Sequence, residues 1–112
     1  MRYFLDTVDP LVALDLADLL RSRRTDAVVV EVGDLSELGG TDRDIGRILI
    51  SDRDATTLRG ESRVRDFIAG GGAVVTITAP DGPKARASTG WVFVEPPYTD
   101  DQFLAALDRA LA

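Results

Sequence analysis

Four aspartates and one threonine stand where short apolar runs of this sequence end. Asp6 and Asp9 follow one run, Asp52 and Asp54 follow another, and Thr78 closes a third. Clustered carboxylates can ligate Mg²⁺. Phosphoryl transfer to a carboxylate needs a metal ion and a further cation to cancel charge. Because the chain has no histidine and no cysteine, Ser–His catalysis, thiolate zinc sites and cysteine nucleophiles are excluded.

Composition narrows the class of protein further. The chain has 112 residues and a formal net charge of −6, with 45% hydrophobic residues. This length and balance predict one globular domain over residues 1–112. The acidic charge argues against nucleic acid or an anionic membrane surface as partner. The start of the chain does not resemble a signal peptide and no apolar run could span a membrane, so we expect a cytoplasmic protein.

The elements that must position these residues alternate between strands and helices. Five apolar runs predict strands, and the continuous ones favour a parallel sheet that is covered on both faces. The predicted strands are residues 3–5, 27–32, 48–50, 73–78 and 91–94. Helices are predicted over 10–23, in a short segment after Gly33, over 61–69 and from Thr99 onward. Prolines and glycines within 80–90 predict a short or irregular fourth helix.

The helix over residues 10–23 shows both a start signal and an apolar stripe. Asp9 suits the N-cap and Pro10 the first helical position. We expect one broad stripe of leucines to face the sheet: Leu11, Leu14, Leu16, Leu19 and Leu20.

This order predicts a single-domain, doubly wound α/β fold with the flavodoxin-like strand order 2-1-3-4-5. In such a sheet the functional crevice lies beyond the carboxyl ends of the central strands. Asp6, Asp9, Asp52 and Asp54 are therefore strand-end acids near the predicted pocket.

The chain resembles the receiver domain of bacterial two-component response regulators. The segment Arg-Ile-Leu-Ile-Ser-Asp that ends at Asp52 is similar to the receiver strand with the phosphoacceptor, and Gly60 follows eight residues later. Residues 76–79 (Thr-Ile-Thr-Ala) resemble the receiver's fourth-strand motif, and residues 96–99 (Pro-Pro-Tyr-Thr) resemble its Lys-Pro-Phe motif. The resemblance covers nearly the whole chain. It implies a phosphoacceptor-like Asp52, switch-like Thr78 and Phe93, and a cis bond before the motif proline.

Other positions depart from the receiver pattern. Receivers carry an acidic pair for Mg²⁺ at the end of the first strand, where this chain has Thr7 and Val8. Their lysine after the fifth strand corresponds to Pro96, or to Glu95 with one insertion. Any Mg²⁺ would have to bind through Asp52, Asp9 or Asp54. Strand alternation turns Asp6 away from the Thr7 side, and an arginine partner would explain Asp6 most simply.

These observations favour a stand-alone, atypical receiver-like interaction module, not an enzyme, with phosphorylation weakened or lost and no required cofactor. Its expected partner is a histidine kinase, a phosphotransferase, an output protein or a second copy. One alternative is a working response regulator that uses Mg²⁺ and Asp52. Others are a small metal-dependent enzyme and a small-ligand sensor. Both receiver hypotheses place the first and last helices on one face of the sheet, with four residues buried: Leu16, Leu20, Phe103 and Leu107.

Overall fold

A computed structural model describes residues 2–7, 9–24, 27–32, 38, 47–77 and 91–111. Within these residues the chain forms five strands and four helices. The strands are β1 (Arg2–Asp6), β2 (Val28–Glu31), β3 (Arg47–Ser51), β4 (Ala73–Thr76) and β5 (Trp91–Phe93). The helices are α1 (Pro10–Arg23), α2 (Ala55–Arg59), α3 (Ser62–Ala69) and α4 (Asp100–Leu111). No helix in this part of the chain is long and apolar enough to cross a membrane.

The five strands form one parallel sheet in the order β2-β1-β3-β4-β5, which confirms the predicted fold class. The central strands β3 and β4 are buried along their whole length, whereas β2 and β5 are partly exposed. The apolar runs of β2 and β5 are continuous as well, so the prediction of coverage on both faces holds for the central strands and was wrong for these two edge strands.

Each face of the sheet has its own hydrophobic core. On one face, α1 and α4 pack over alternate strand residues such as Tyr3 and Ile48. On the other face, α2 and α3 pack over the strand residues that alternate with the first set, such as Phe4 and Leu49. The predicted helix pair is confirmed, since the same core contains Leu16, Leu20, Phe103 and Leu107, all buried.

Helix α1 begins as predicted but turns a different stripe to the sheet. The Asp9 carboxylate accepts a hydrogen bond of 2.9 Å from the Leu11 backbone N–H, and Pro10 is the first helical residue. The buried residues are Ala13, Leu16, Ala17 and Leu20, at helical spacing. The prediction was wrong for Leu11 and Leu14, which are 71% and 54% exposed because small alanines occupy part of the buried stripe.

The connection from β3 to β4 contains two helices where one was predicted. The extra helix α2 begins at an Asp54 N-cap, and Gly60 and Glu61 separate it from α3. The predicted segment after Gly33 and the predicted short helix within 80–90 lie outside the described residues, apart from the buried Leu38.

Helix α4 is fixed at both ends. At its start, the Thr99 N–H donates to the Gln102 side chain at 2.8 Å, while the Gln102 N–H donates to the Thr99 hydroxyl at 3.1 Å. This reciprocal capping box satisfies two backbone donors. Near its end, Asp108 accepts a hydrogen bond from Arg24, just after α1, at 2.8 Å. These contacts support the predicted helix start near Thr99.

We predict that Gly72→Ala destabilises the fold, because a methyl group there would overlap the buried ring of Phe67. That ring cannot easily move, since it packs edge-on against Phe4 and lies beneath the Arg47 guanidinium. Overpacking of this kind costs about 1–3 kcal/mol. Urea unfolding measures the change. In the control Gly60→Ala the new methyl meets nothing closer than 3.4 Å, and its stability should stay within about 0.5 kcal/mol of wild type. Equal midpoints for the two variants would contradict the packing described here.

Candidate functional site

A row of buried polar residues crosses the carboxyl end of the sheet. The register places Asp6 beside Ser51, and Ser51 beside Thr76, with Phe93 next on β5. Strand alternation turns this row toward the face that α2 and α3 cover, because Phe4, Leu49 and Val74 point there two residues earlier. Ser51 and Thr76 are fully buried, and Asp6 is only 4% exposed.

Arg53 neutralises the buried carboxylate of this row. Its Nε lies 2.9 Å from Asp6 Oδ2, and the Ser51 hydroxyl donates to the same oxygen at 3.0 Å. The Arg53 backbone N–H in turn donates to Ser51 Oγ at 3.1 Å. A buried carboxylate needs such compensation, since burial of an unpaired charge costs several kcal/mol. The expected arginine partner of Asp6 is therefore Arg53.

Asp52 belongs to the opposite face of the sheet. Its backbone N–H continues the β1–β3 ladder by donating to the Asp6 carbonyl at 3.3 Å. Asp52 thus stands beside Thr7, on the side of the sheet to which Ile48 and Ile50 point. Asp52 is half-buried. Alternation therefore separates the side chains of Asp6 and Asp52, although their backbones are neighbours.

The other two strand-end acids cap helices. Asp9 caps α1, as predicted, and Asp54 caps α2 by accepting a hydrogen bond of 2.6 Å from the Thr57 N–H. This hydrogen bond lowers the pKa of the Asp54 carboxyl below its ordinary value of 3.8. Both carboxylates are exposed. Their positions are explained by the helix starts.

The remaining predicted site residues are dispersed. Phe93 is half-buried on β5, while Glu95 and Pro96 are exposed beyond the strand. The bond between Pro96 and Pro97 is cis, as the resemblance implied. Thr78 and Val8 lie outside the described residues.

The hydroxyls of Thr7 and Thr76 are buried, and neither has a hydrogen-bond partner within the described part of the chain. A threonine hydroxyl is a weak ligand for a hard cation compared with a carboxylate. At the end of β1, the possible ligands for a cation are therefore Thr7, next to Asp52, and Asp6, which is already paired with Arg53.

These donors do not fit the Mg²⁺ that the resemblance implies. Such an ion prefers one or two carboxylates in an octahedral shell of oxygens. Among the described residues, no three acidic side chains gather closely enough to hold a metal ion. Asp6 is engaged by Arg53 and Ser51, and Asp9 and Asp54 by helix starts. None of these three acids is therefore free to join Asp52 as a second carboxylate ligand.

No family model, no curated protein and no solved structure matches this chain. Sheets of this strand order carry many unrelated functions, so the order itself assigns none. A function has to be argued from the side chains at the carboxyl edge and on the surface.

The sequence analysis predicted an arginine partner for Asp6 but did not identify Arg53 as that partner. The sequence feature that could have identified Arg53 is its spacing from Ser51. Ser51 ends the central strand β3, and Arg53 follows two residues later. Once β1 and β3 are paired in register, Ser51 stands beside Asp6, and a residue two positions later can reach over it. The sequence alone does not show how β1 and β3 align, and the partner of Asp6 depends on that alignment.

We predict that Arg53→Met lowers the free energy of unfolding by about 2–4 kcal/mol, because it leaves Asp6 buried without a cation. The Arg53 side chain is 34% exposed, which keeps the loss below that of a fully buried pair. The double variant Asp6→Asn/Arg53→Met should be more stable than Arg53→Met. Urea unfolding of this double-mutant cycle measures the coupling.

Arg24→Met is the matched control, since it breaks the exposed pair with Asp108. Its expected cost is at most about 1 kcal/mol. If Arg53→Met and Arg24→Met were equally mild, Asp6 would not depend on Arg53 for its charge compensation.

We predict that Asp54→Asn makes the stability less dependent on pH in the acid range. A carboxyl with a lowered pKa stabilises the fold above its unfolded value of 3.8, and this contribution is lost as pH falls through the folded pKa. Asparagine keeps a capping oxygen but does not titrate. Urea midpoints of the two proteins should therefore approach each other as the solution is acidified below about pH 4. Parallel curves over the whole range would be inconsistent with the cap.

Proposed function

We propose that this chain is a receiver-like interaction module that binds a protein partner and does not transfer phosphoryl groups through Asp52. The observation that carries the proposal is the ion pair between Asp6 and Arg53 at the carboxyl edge of the sheet. Asp6, which directly precedes the Thr7 and Val8 positions of the expected metal pair, is already neutralised by a cation of the chain itself.

The chemistry of phosphoryl transfer supports this conclusion. The attacking carboxylate, the metal and a further cation have to converge, because the transferred group carries negative charge. Here the positions that the resemblance gives to the metal pair are Thr7 and Val8, and the position of the lysine is Pro96. The cation that the described residues do place at this edge is Arg53, whose charge Asp6 balances.

The surface supports an interaction role. Leu11 and Leu14 project from α1 next to the exposed acids Asp15 and Asp18. Exposed leucines one helical turn apart are unusual in a helix that has a separate buried stripe, and such residues often contact partners. The fold then acts as a rigid scaffold that presents surfaces, while the closed crevice holds β1 and β3 in a single arrangement.

We predict that the amide NMR spectrum will show no saturable response to millimolar Mg²⁺, or to Mg²⁺ with beryllofluoride, an acyl-phosphate mimic. The reason is that Asp6, Asp9 and Asp54 are engaged by other partners, and no three acidic side chains among the described residues gather closely enough to hold a metal ion. The matched control is Asp52→Asn, whose titration should look the same as that of wild type.

Saturable shifts around Asp52, Thr7 and residues 93–97 in wild type, lost in Asp52→Asn, would contradict the proposal. They would establish instead a working response regulator that uses Asp52.

A further inference from the structure

Strand β5 forms an edge of the sheet that carries little protection against pairing. Within the described residues, β5 is hydrogen-bonded to β4 only. Its three residues, Trp91, Val92 and Phe93, are all apolar and all half-exposed. Edge strands are usually protected by charges, prolines or bulges within the strand, because an open apolar edge is a template for another strand.

An open cavity of about 210 Å³ lies along this edge. It is lined by the three consecutive residues of β5 and by Arg109 from the last turn of α4. Consecutive strand residues point to opposite faces of the sheet. A cavity that is lined by all three residues therefore lies beside the backbone of β5, and not over one face of the sheet. This is the place that an additional extended segment would occupy.

Arginines flank the edge on both faces of the sheet. Arg109 approaches from the α4 face. On the other face, the Arg59 guanidinium lies 5.2 Å from the centroid of the Trp91 ring, in cation–π geometry. Two arginines thus flank this edge, although the whole chain carries a net charge of −6 and the exposed Glu95 follows β5. An added strand would place alternate side chains toward Arg109 and toward Arg59.

We propose that the β5 edge binds an extended acidic peptide of a partner protein by strand addition. Main-chain hydrogen bonds to β5 would provide affinity, and carboxylates near Arg109 and Arg59 would provide selectivity. The inference rests on the proposed function, since it names the partner chemistry of an interaction module. Symmetric pairing of two β5 edges is disfavoured, because it would bring the arginines of two copies together.

The single tryptophan of the chain lies on this strand, so its fluorescence reports on the edge directly. The probe is a short capped peptide that repeats Glu-Glu-Val-Val, so that glutamates lie on both faces of the added strand. We expect a saturable change in Trp91 emission with a Kd below about 1 mM. A peptide with lysine in place of every glutamate should not produce it, nor should a glutamate peptide whose backbone is N-methylated at every residue.

Charge reversal tests the role of the arginine. Arg109→Glu should weaken binding of the glutamate peptide at least about fivefold, because attraction becomes repulsion. The matched control Arg21→Glu reverses an exposed charge in the last turn of α1 and should leave the Kd within about twofold. Circular dichroism and urea unfolding of both variants establish that the fold is retained.

Four results would overturn the edge site. They are the absence of a saturable change, equal binding of the lysine peptide, equal binding of the N-methylated peptide, and no effect of Arg109→Glu in a folded variant. A concentration-dependent dimer that shields Trp91 would also overturn it, with a second copy as the occupant. Phosphorylation of Asp52 would overturn the proposed function but would not affect the proposal for the β5 edge. A failed peptide titration would overturn the proposal for the β5 edge but would not affect the proposed function.

Discussion

The ion pair between Asp6 and Arg53 is the interaction on which the carboxyl edge of this protein depends. A carboxylate that is 4% exposed at the end of β1 would be costly without a nearby cation. Arg53 reaches back over β3 to supply that cation, and Ser51 joins both residues through its hydroxyl. The pair therefore ties β1 to β3 and to the loop that leads into α2.

The period of two along each strand decides what the remaining residues can do. Asp6 and Ser51 face α2 and α3, whereas Thr7 and Asp52 follow at the next positions, which regular alternation assigns to the other face. Two acids that are near each other in the backbone ladder are thereby kept on different faces. The ion pair with Arg53 therefore engages Asp6 without involving Asp52.

Much of the fold could be predicted from the sequence because its signals are local. Continuous apolar runs indicated the parallel strands, although the valine run of β2 was wrongly expected to be buried, and the caps at Asp9 and Thr99 located the starts of two helices. The prediction failed for Leu11 and Leu14, because the stripe that packs on the sheet runs through Ala13, Leu16, Ala17 and Leu20 and leaves those two leucines beside it. The extra helix α2 was missed because it is only five residues long.

The candidate site was harder to predict, because it depends on long-range register. The acids Asp6, Asp9, Asp52 and Asp54 were recognised as strand-end residues, but two of them serve as helix caps and one is paired with Arg53. Which arginine pairs with Asp6 follows from the alignment of β1 with β3, and no local pattern contains that alignment. The pairing of Trp91 with Arg59 across the sheet edge is unpredictable for the same reason.

The Nε–H resonance of Arg53 in ¹⁵N NMR tests the central claim most directly, because this group donates to Asp6. The account predicts one arginine Nε–H that exchanges slowly with water, disappears in Asp6→Asn and is unchanged by millimolar Mg²⁺. A resonance that exchanges as fast as those of exposed arginines, or that Mg²⁺ releases in a saturable way, would contradict it. The edge would then be open to a metal ion, and Asp6 would be available as its ligand.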